Sequence, residues 1–536
     1  MTIFEYHDAT KHHYHRSARS LGYMDWTNQP DPFRHYEGRS PISLPLLEND
    51  PEGGYPDLYL RNKNPEKPFG LKNVAGFLEL SLGLSAWKGV PGSRWSLRIN
   101  PSSGNLHPSE AHLILPSING LDSGVYHYNS FMHTLEPRAI LSPDLWDKIM
   151  GHFHTPGFLI GISSIFWRES WKYGERAFRY CNHDAGHALA CLSFSANLFG
   201  WKVIYLNALS DDDIRTVLGF DKAQWPHMEE EHPDFLCYVF QFSQMPASRN
   251  LSEKILKDFA ELDFFGTPNT LSPDHFNWEI IDLAGRRTKK PKTEPFELSL
   301  KDTPPFFTET IPDLTASRII RQRRSATGFD PNGFITQEQF IAMLDKTLPR
   351  MHIAPFDVEL SPACVHLLLF VHNVEGLKKG LYFFFRNEED QDIIRSLTRV
   401  DFLWQTVREG FPLYFLQAGN FRKVAARVSC YQEIAGDSIF SLGMIAKFRD
   451  PIESHPYTYR NLFWETGMIG QVLYLEAESH GFRGTGIGCY FDDAVHDILG
   501  FSDNRFQSLY HFTVGKHIED RRIKTLPPYY HIERKW

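Results

Sequence analysis

The chain has 536 residues, 42% of them hydrophobic and 23% charged, with a formal net charge of −9. That length exceeds one ordinary core and predicts two domains, and the acidic balance excludes a general nucleic-acid binder, which needs clustered positive charge. Six scattered cysteines with no C-x-x-C pair exclude a zinc ribbon and predict free thiols in a reducing compartment.

In chain order, residues 1–55 are rich in His, Pro, Arg and aromatics and read as an irregular N-terminal arm. Its run Lys11-His-His-Tyr-His15 reads as a polar segment, because no Cys or carboxylate cluster accompanies it to hold a metal. The N-terminus has no basic stretch followed by an apolar one, and no apolar run approaches the ~18–20 residues of a membrane span. The expectation is a cytoplasmic protein without membrane contact.

A first domain is expected over 56–244. Apolar periodicity through Val74, Phe77, Leu78, Leu80, Leu82 and Leu84 predicts a helix over 71–87. Asn100, Pro101, Ser102, Ser103, Gly104 and Asn105 then stand together ahead of an apolar segment. Pro and Gly force the backbone out of regular structure, and Ser and Asn supply hydroxyls and amides. The stretch is either a turn before a strand or a loop laid against a flat polar ligand. Lys172 and Tyr173 stand at the mouth of a long helix. Lys172 is either a surface charge paired with Glu169 or Glu175, or a proton acceptor beside an apolar pocket. His183-Asp-Ala-Gly-His187 echoes the zinc motif H-E-x-x-H, but Asp is one methylene short for the general-base role and no third ligand is apparent, so no metal site is predicted.

Residues 245–305 are expected to be a linker, with the basic, Pro-bearing run 286–295 as a solvated connector. A second domain is expected over 306–536, with a helical run from Thr336. Arg323, Arg324 and Ser325 form either a surface basic cluster or a phosphate grip, since guanidinium forks pair bidentately with oxyanions. Gly481, Gly484, Gly486 and Gly488 mark either a glycine-rich strand or a close approach of backbone to a planar ring. They do not fit a dinucleotide fingerprint, and the P-loop pattern is absent.

The informative observation is internal repetition. Both halves carry Pro-x-x-x-His-Leu-x-Leu followed by Gly-x-Tyr, at 108–128 and at 362–382, which predicts a strand, a turn and a second strand in each. Residues 200–220 likewise match 481–501: an apolar helix precedes the Gly, and an acidic turn starts a short helix ending in Leu-Gly-Phe. A duplicated α+β domain is predicted.

Taken together, Pro101-Ser-Ser-Gly-Asn-Leu-His-Pro108, Gly124-Val-Tyr-His-Tyr128, Trp171–Tyr180, Arg323-Arg-Ser325 and Gly484-Thr-Gly-Ile-Gly488 resemble the nitroreductase-like flavoproteins, most closely the SagB-type azoline dehydrogenases. The resemblance implies two tandem α+β domains that form an intramolecular pseudo-dimer, with FMN between them. It implies that Arg323, Arg324 and Ser325 hold the phosphate and that Gly486, Ile487 and Gly488 face the flavin ring. Pro101, Ser102, Ser103 and Asn105 would reach across from the first domain, and Arg522 and Lys524 are further phosphate candidates. Lys172 and Tyr173 match the branch's catalytic pair. The implied activity is an FMN-dependent oxidoreductase acting on a small molecule or peptide. NAD(P)H-dependent reduction of nitro or quinone compounds, or a non-catalytic flavin- or peptide-binding subunit, remain alternatives.

The second half has lost the Ser-Ser-Gly-Asn residues, with Asp357-Val-Glu-Leu-Ser-Pro362 in their place, and the first half has lost the glycines at 200–207. One composite site and one degenerate site are therefore expected in a single tethered chain, where a linker sets an effective concentration of order mM.

Overall fold

The computed structural model describes residues 1–118, 120–306 and 314–532. The repeated motif forms matched antiparallel hairpins: Ser109–Leu115 with Gly124–Asn129, and Val365–Val371 with Gly380–Phe384. The Gly of each Gly-x-Tyr has a packing reason. A Cβ on Gly124 would stand 2.5 Å from the Ala139 carbonyl oxygen, and one on Gly380 would stand 2.1 Å from that of Gln417.

Each hairpin lies inside a seven-stranded antiparallel sheet. The first runs Ile42–Ser43, Thr134–Ile140, Gly124–Asn129, Ser109–Leu115, Gly157–Ser164, His232–Gln241 and Trp201–Tyr205. The second runs Gln405–Arg408, Phe411–Ala418, Gly380–Phe384, Val365–Val371, Phe440–Lys447, Phe506–Gly515 and Arg483–Ile487. Apart from the first edge strand, which precedes its hairpin in one half and follows it in the other, the strand order is the same. The fold is two tandem α+β domains, as the repeats predict.

Two 22-residue helices, Ala177–Leu198 and Thr458–Ser479, join the halves in one apolar core. They cross at Gly186 and Gly467, where a Cβ would stand 2.1 Å from the Trp464 carbonyl oxygen and 2.3 Å from that of His183 respectively. Helix backbones approach so closely only where side chains are missing. Gly186→Ala is expected to destabilise the chain by about 2–3 kcal/mol, the upper range for overpacking, read as a shift in the urea midpoint at unchanged slope. An unchanged midpoint would show that the crossing tolerates a methyl group.

Ion pairs cross between the halves with the same symmetry. Arg179 of the first long helix donates to Asp492 (2.7 Å), and Arg460 of the second donates to Asp211 (2.8 and 2.9 Å). Both aspartates open the short helices of the acidic turns, Asp492–Leu499 and Asp211–Leu218. Buried carboxylates and guanidiniums of this kind need each other, because burial removes the water that would otherwise solvate them.

Several elements differ from expectation. The first helix ends at Ser81, and Trp87 lies instead in the strand Leu84–Val90, between Ser93–Arg98 and Lys524–Leu526. Gly83, whose Cβ would meet the Glu79 carbonyl oxygen at 2.7 Å, separates helix from strand. The arm is not irregular at its start: Thr2 and Glu5 form a capping box for the helix Ile3–Ala9, which buries Ile3, Tyr6 and His7. The segment 245–305 carries the helices Glu253–Ala260 and Glu279–Arg287, whose apolar faces join the cores. In its basic run Arg286, Arg287, Lys289 and Lys292 are exposed, as a solvated connector requires, and Lys290 is the exception. Lys290 is buried, donates to the Leu209 carbonyl (2.8 Å), and is held down to about 8 by burial, with Asp211 opposing. The boundary expected at 305/306 adjoins residues 307–313, which lie outside the described residues.

Arm and segment also match each other. Thr10 Oγ1 donates to the Tyr6 carbonyl (2.9 Å), Lys11 pairs with Asp493 (2.9 Å), and the His12 N–H donates to Asp492 (3.0 Å). Thr288 Oγ1 donates to the Ala284 carbonyl (2.8 Å), Lys289 pairs with Asp212 (2.6 Å), and the Lys290 N–H donates to Asp211 (3.0 Å). The duplication therefore includes a leading helix in each half.

Candidate active site

The composite cleft encloses about 480 Å³ and brings together Ser102, Ser103, Asn105, Arg323, Ser325 and Gly488, from both halves of the chain. That volume lies within the ~300–1,000 Å³ of cofactor and substrate clefts.

The loop from the first half is a single 3₁₀ turn, Ser103–Asn105, in which Gly104 and Asn105 both take φ = 61°. Asp184, from the first long helix, fixes it by accepting the Ser103 N–H (3.0 Å) and hydroxyl (3.1 Å). Burial pushes the Asp184 carboxyl up to about 7, and the bonds from Ser102 and Ser103 oppose that shift. Asn105 Nδ2 donates to the Ser96 carbonyl (2.9 Å), and the His107 N–H to Ser102 Oγ (2.8 Å). Gly104 packs on the predicted pair: a Cβ there would stand 2.7 Å from Tyr173 Oη and 3.0 Å from Lys172 Nζ.

Arg323 and Arg324 follow the helix Ala316–Gln322, and the next helix starts only at Gln337, so no helix N-terminus assists them. Attraction for an anion must come from the guanidiniums themselves. Arg323 is 4% exposed, reaches the Arg98 carbonyl at 3.3 Å, lies over the Tyr474 ring, and leaves its Nε without a partner. Neither arginine forms an ion pair among the described residues. Burial lowers Arg323, and burial together with Arg323 brings Arg324 down to about 10. A buried and a half-buried guanidinium side by side, neither ion-paired within the described residues and with Glu478 acting on them only from a distance, form a site for an anion.

The glycine strand Arg483–Ile487 completes the cleft. Tyr474 ties it to the grip: its Oη lies 2.8 Å from Ser325 Oγ and accepts the Gly486 N–H at 2.9 Å. The glycines leave room for aromatic rings, since a Cβ on Gly486 would stand 1.9 Å from Tyr510 Oη and one on Gly488 would stand 2.0 Å from the Tyr180 ring. Because Tyr474 takes the Gly486 N–H, that group does not point freely into the cleft.

Tyr173 lines the cleft, with its ring 4.3 Å from that of Tyr180. Burial raises its phenol well above the ordinary range, with Glu169 adding, so it is a neutral hydrogen-bond donor. Lys172 forms no ion pair among the described residues with Glu169 or Glu175; its ammonium lies 5.2 Å from the Tyr173 ring. One turn earlier, burial holds Glu169 well above the usual carboxylate range, with Asp184 adding and Lys172 opposing. Arg522 and Lys524 do not join the site. The Arg522 side chain is 86% exposed and paired with Asp520, and Lys524 is an exposed residue of an edge strand.

Arg483, Tyr474, Tyr510, Tyr180 and Asp184 line the cleft but were not predicted as site residues. Arg483 stands inside the matched glycine segment and Tyr180 ends the quoted stretch Trp171–Tyr180, so both were legible there, whereas Tyr474 and Tyr510 lie on the neighbouring helix and strand with no motif to mark them. The zinc-like motif serves the helix crossing through Gly186. His183 bonds Thr466 Oγ1 (3.0 Å) and stacks on Tyr510, and no cluster among the described residues has three metal-ligating side chains.

The related edge of the first half is different. Val203, Tyr205 and Asn207 replace the glycines, and the chain itself crosses there: the Thr293 N–H donates to the Ala208 carbonyl (3.1 Å), and Asn207 Nδ2 donates to that of Phe296 (2.8 Å).

Two such domains sharing one cleft define a tandem nitroreductase-like fold. The same architecture occurs in the crystal structure of a nitroreductase-like protein from Anabaena variabilis, with a TM-score of 0.70 and 21% identity over 97% of this chain and all of that one. Residues 320–516 match the family model described as the nitroreductase family. The nitroreductase-like protein MJ1384 of Methanocaldococcus jannaschii is 29% identical over 147 residues, which is 26% of this chain and 72% of that protein. The trifolitoxin-processing protein TfxB of Rhizobium leguminosarum bv. trifolii is 28% identical over 150 residues, which is 25% of this chain and 40% of that protein. Residues 320–516 are therefore similar to the nitroreductase family, and the chain as a whole has the nitroreductase-like fold.

Proposed function

We propose that the chain is an FMN-dependent oxidoreductase of the SagB dehydrogenase type, with one flavin site in the composite cleft. The observation that carries this reading is the orphaned Arg323 Nε, buried beside Arg324 and Ser325 at one end of a cleft whose other wall is a glycine strand. Arg323, Arg324 and Ser325 would hold the phosphate. Ile487 and Gly488 would lie along the ring system, and Ser102, Ser103 and Asn105, set on buried Pro101, would cover it from the first half. When bound, FMN supplies two-electron hydride chemistry. Lys172 would accept the proton released from a substrate ring carbon, and Tyr173 would orient the substrate through its phenol. A peptide substrate is favoured by the similarity to a protein named for trifolitoxin processing.

Flavin released from the purified chain, measured by absorbance, is expected at one FMN per chain. Two per chain would overturn the single-site reading. Lys172→Ala should slow oxidation of a thiazoline-bearing peptide by about 100-fold or more, as expected for loss of a general base, with FMN content unchanged. Loss of the flavin along with the activity would make Lys172 a structural residue.

A further inference from the structure

The cleft has a second chemical feature that flavin binding does not use. Cys489 follows Gly488, just beyond the glycine strand, and lines the cleft. The turn after the helix Arg422–Val428 brings Cys430 against it, with the two sulfurs 2.7 Å apart, closer than unbonded sulfurs ordinarily pack. All six thiols are free, yet only this pair among the described cysteines lies in sulfur–sulfur contact.

The surroundings give the two sulfurs different roles. Gln432 Nε2 donates to the Ser429 carbonyl (2.9 Å) and to the Cys489 carbonyl (3.0 Å), clamping the two segments together. Cys430 and Tyr431 both take left-handed backbone, with φ of 54° and 59°, an uncommon pair of conformations for successive non-glycine residues and one that holds the thiol in place. Arg176 donates to the neighbouring Gly488 carbonyl (3.2 Å), and the His12 imidazole faces the Cys489 sulfur. The contact shared with Cys430 holds the Cys489 thiol well below its ordinary range against the opposing effect of burial, with His12 and Arg176 adding to it. Cys430 is pushed up by the same contact. Cys489 is the sulfur-bearing residue that lines the cleft, beside Arg176, and Cys430 packs against it without lining the cleft, the placement of an attacking and a resolving cysteine. Burial raises Cys181, Cys191, Cys237 and Cys364 instead.

We propose that Cys489 and Cys430 form a redox-active dithiol site at the edge of the cleft, which exchanges with low-molecular-weight disulfides. The Cys489 thiolate attacks one sulfur of RS–SR; that S–S bond breaks, a mixed disulfide forms, and RS⁻ leaves and takes a proton from solvent. Cys430 Sγ then attacks Cys489 Sγ, the second RS⁻ leaves, and the proton of Cys430 passes to it. Two cysteines are oxidised to one disulfide while RS–SR is reduced to two RSH, with no further co-reactant. The product would pin the 429–432 turn to the end of the glycine strand. None of this requires that the cleft bind FMN.

The test equilibrates the full chain in glutathione buffers from fully reduced to fully oxidised, followed by acid quenching, alkylation and peptide mapping by mass spectrometry. The expected result is a Cys430–Cys489 crosslink that consumes two of the six thiols and reverses with dithiothreitol. At pH 6, iodoacetamide should modify Cys489 in the reduced chain at least tenfold faster than Cys364. Cys430→Ser should stop the reaction at one glutathione adduct on Cys489. Absence of the crosslink at every buffer ratio, or alkylation of Cys489 no faster than that of Cys364, would overturn the proposal without bearing on the flavin reading.

Discussion

Arg323→Ala is expected to raise the FMN dissociation constant at least ~100-fold, about 3 kcal/mol, while leaving the flavin-free protein as stable as before or slightly more so. The two signs have one cause. In the chain alone the Arg323 guanidinium is buried, has no ion-paired carboxylate and keeps an orphaned Nε, so burial disfavours its charged form and opposes folding. A bound phosphate would satisfy it through charge-assisted bonds. A flavin fluorescence titration alongside thermal melts of the flavin-free variant separates the effects. A marked fall in melting temperature without loss of flavin would mean that Arg323 holds the fold rather than a phosphate. Arg324→Ala should follow with a smaller loss of affinity, because that side chain is only half-buried and already donates to the Arg321 and Ser85 carbonyls.

The second large effect is expected at the pairs that cross between halves. Asp492→Ala leaves Arg176 and Arg179 buried without their shared carboxylate (3.1 and 2.7 Å) and should destabilise the chain by about 3–5 kcal/mol. Asp211→Ala should cost a similar amount through Arg460. The pH dependence has a defined sign. Burial alone would raise the Asp492 carboxyl, but the two guanidiniums override it and hold it far below the usual range. Its contribution is therefore fully present above the unfolded value of about 4 and is lost as pH falls below it. Urea unfolding of wild type and variant at pH 7 and at pH 3 measures this. The gap between them should narrow at the lower pH, and a gap under 1 kcal/mol at pH 7 would show that the pair is solvated in solution.

Much of this architecture was readable in the amino-acid order, because it was written twice. The two hairpins announced themselves through His112 and His366 at the same place in the motif, and the acidic turns through Asp211 and Asp492. The shared cleft was legible by subtraction, since each half lacked what the other kept. What escaped reading depended on contacts over long separations. Near Thr288 only the dipeptide Thr288-Lys289 repeats Thr10-Lys11, too short a match to mark a repeat, and the rest of the similarity lies in hydrogen bonds. Trp87 was assigned to a helix because Leu82 and Leu84 continue a helical stripe, and only the strand Lys524–Leu526, more than 400 residues on, gives it a sheet to join. Cys430 and Cys489 looked scattered for the same reason.

The helix crossing has a consequence for synthesis. Gly186 meets Trp464, and Gly467 meets His183, so the first long helix can pack one side on the apolar residues of its own half, but its crossing face has no partner until the second has left the ribosome, some 280 residues later. At roughly 5–20 residues per second that is on the order of a quarter of a minute to a minute. During this interval the nascent first half displays the surface that will become the middle of the molecule, and a holdase or a slowly translated stretch would have to shield it from neighbouring polysomes.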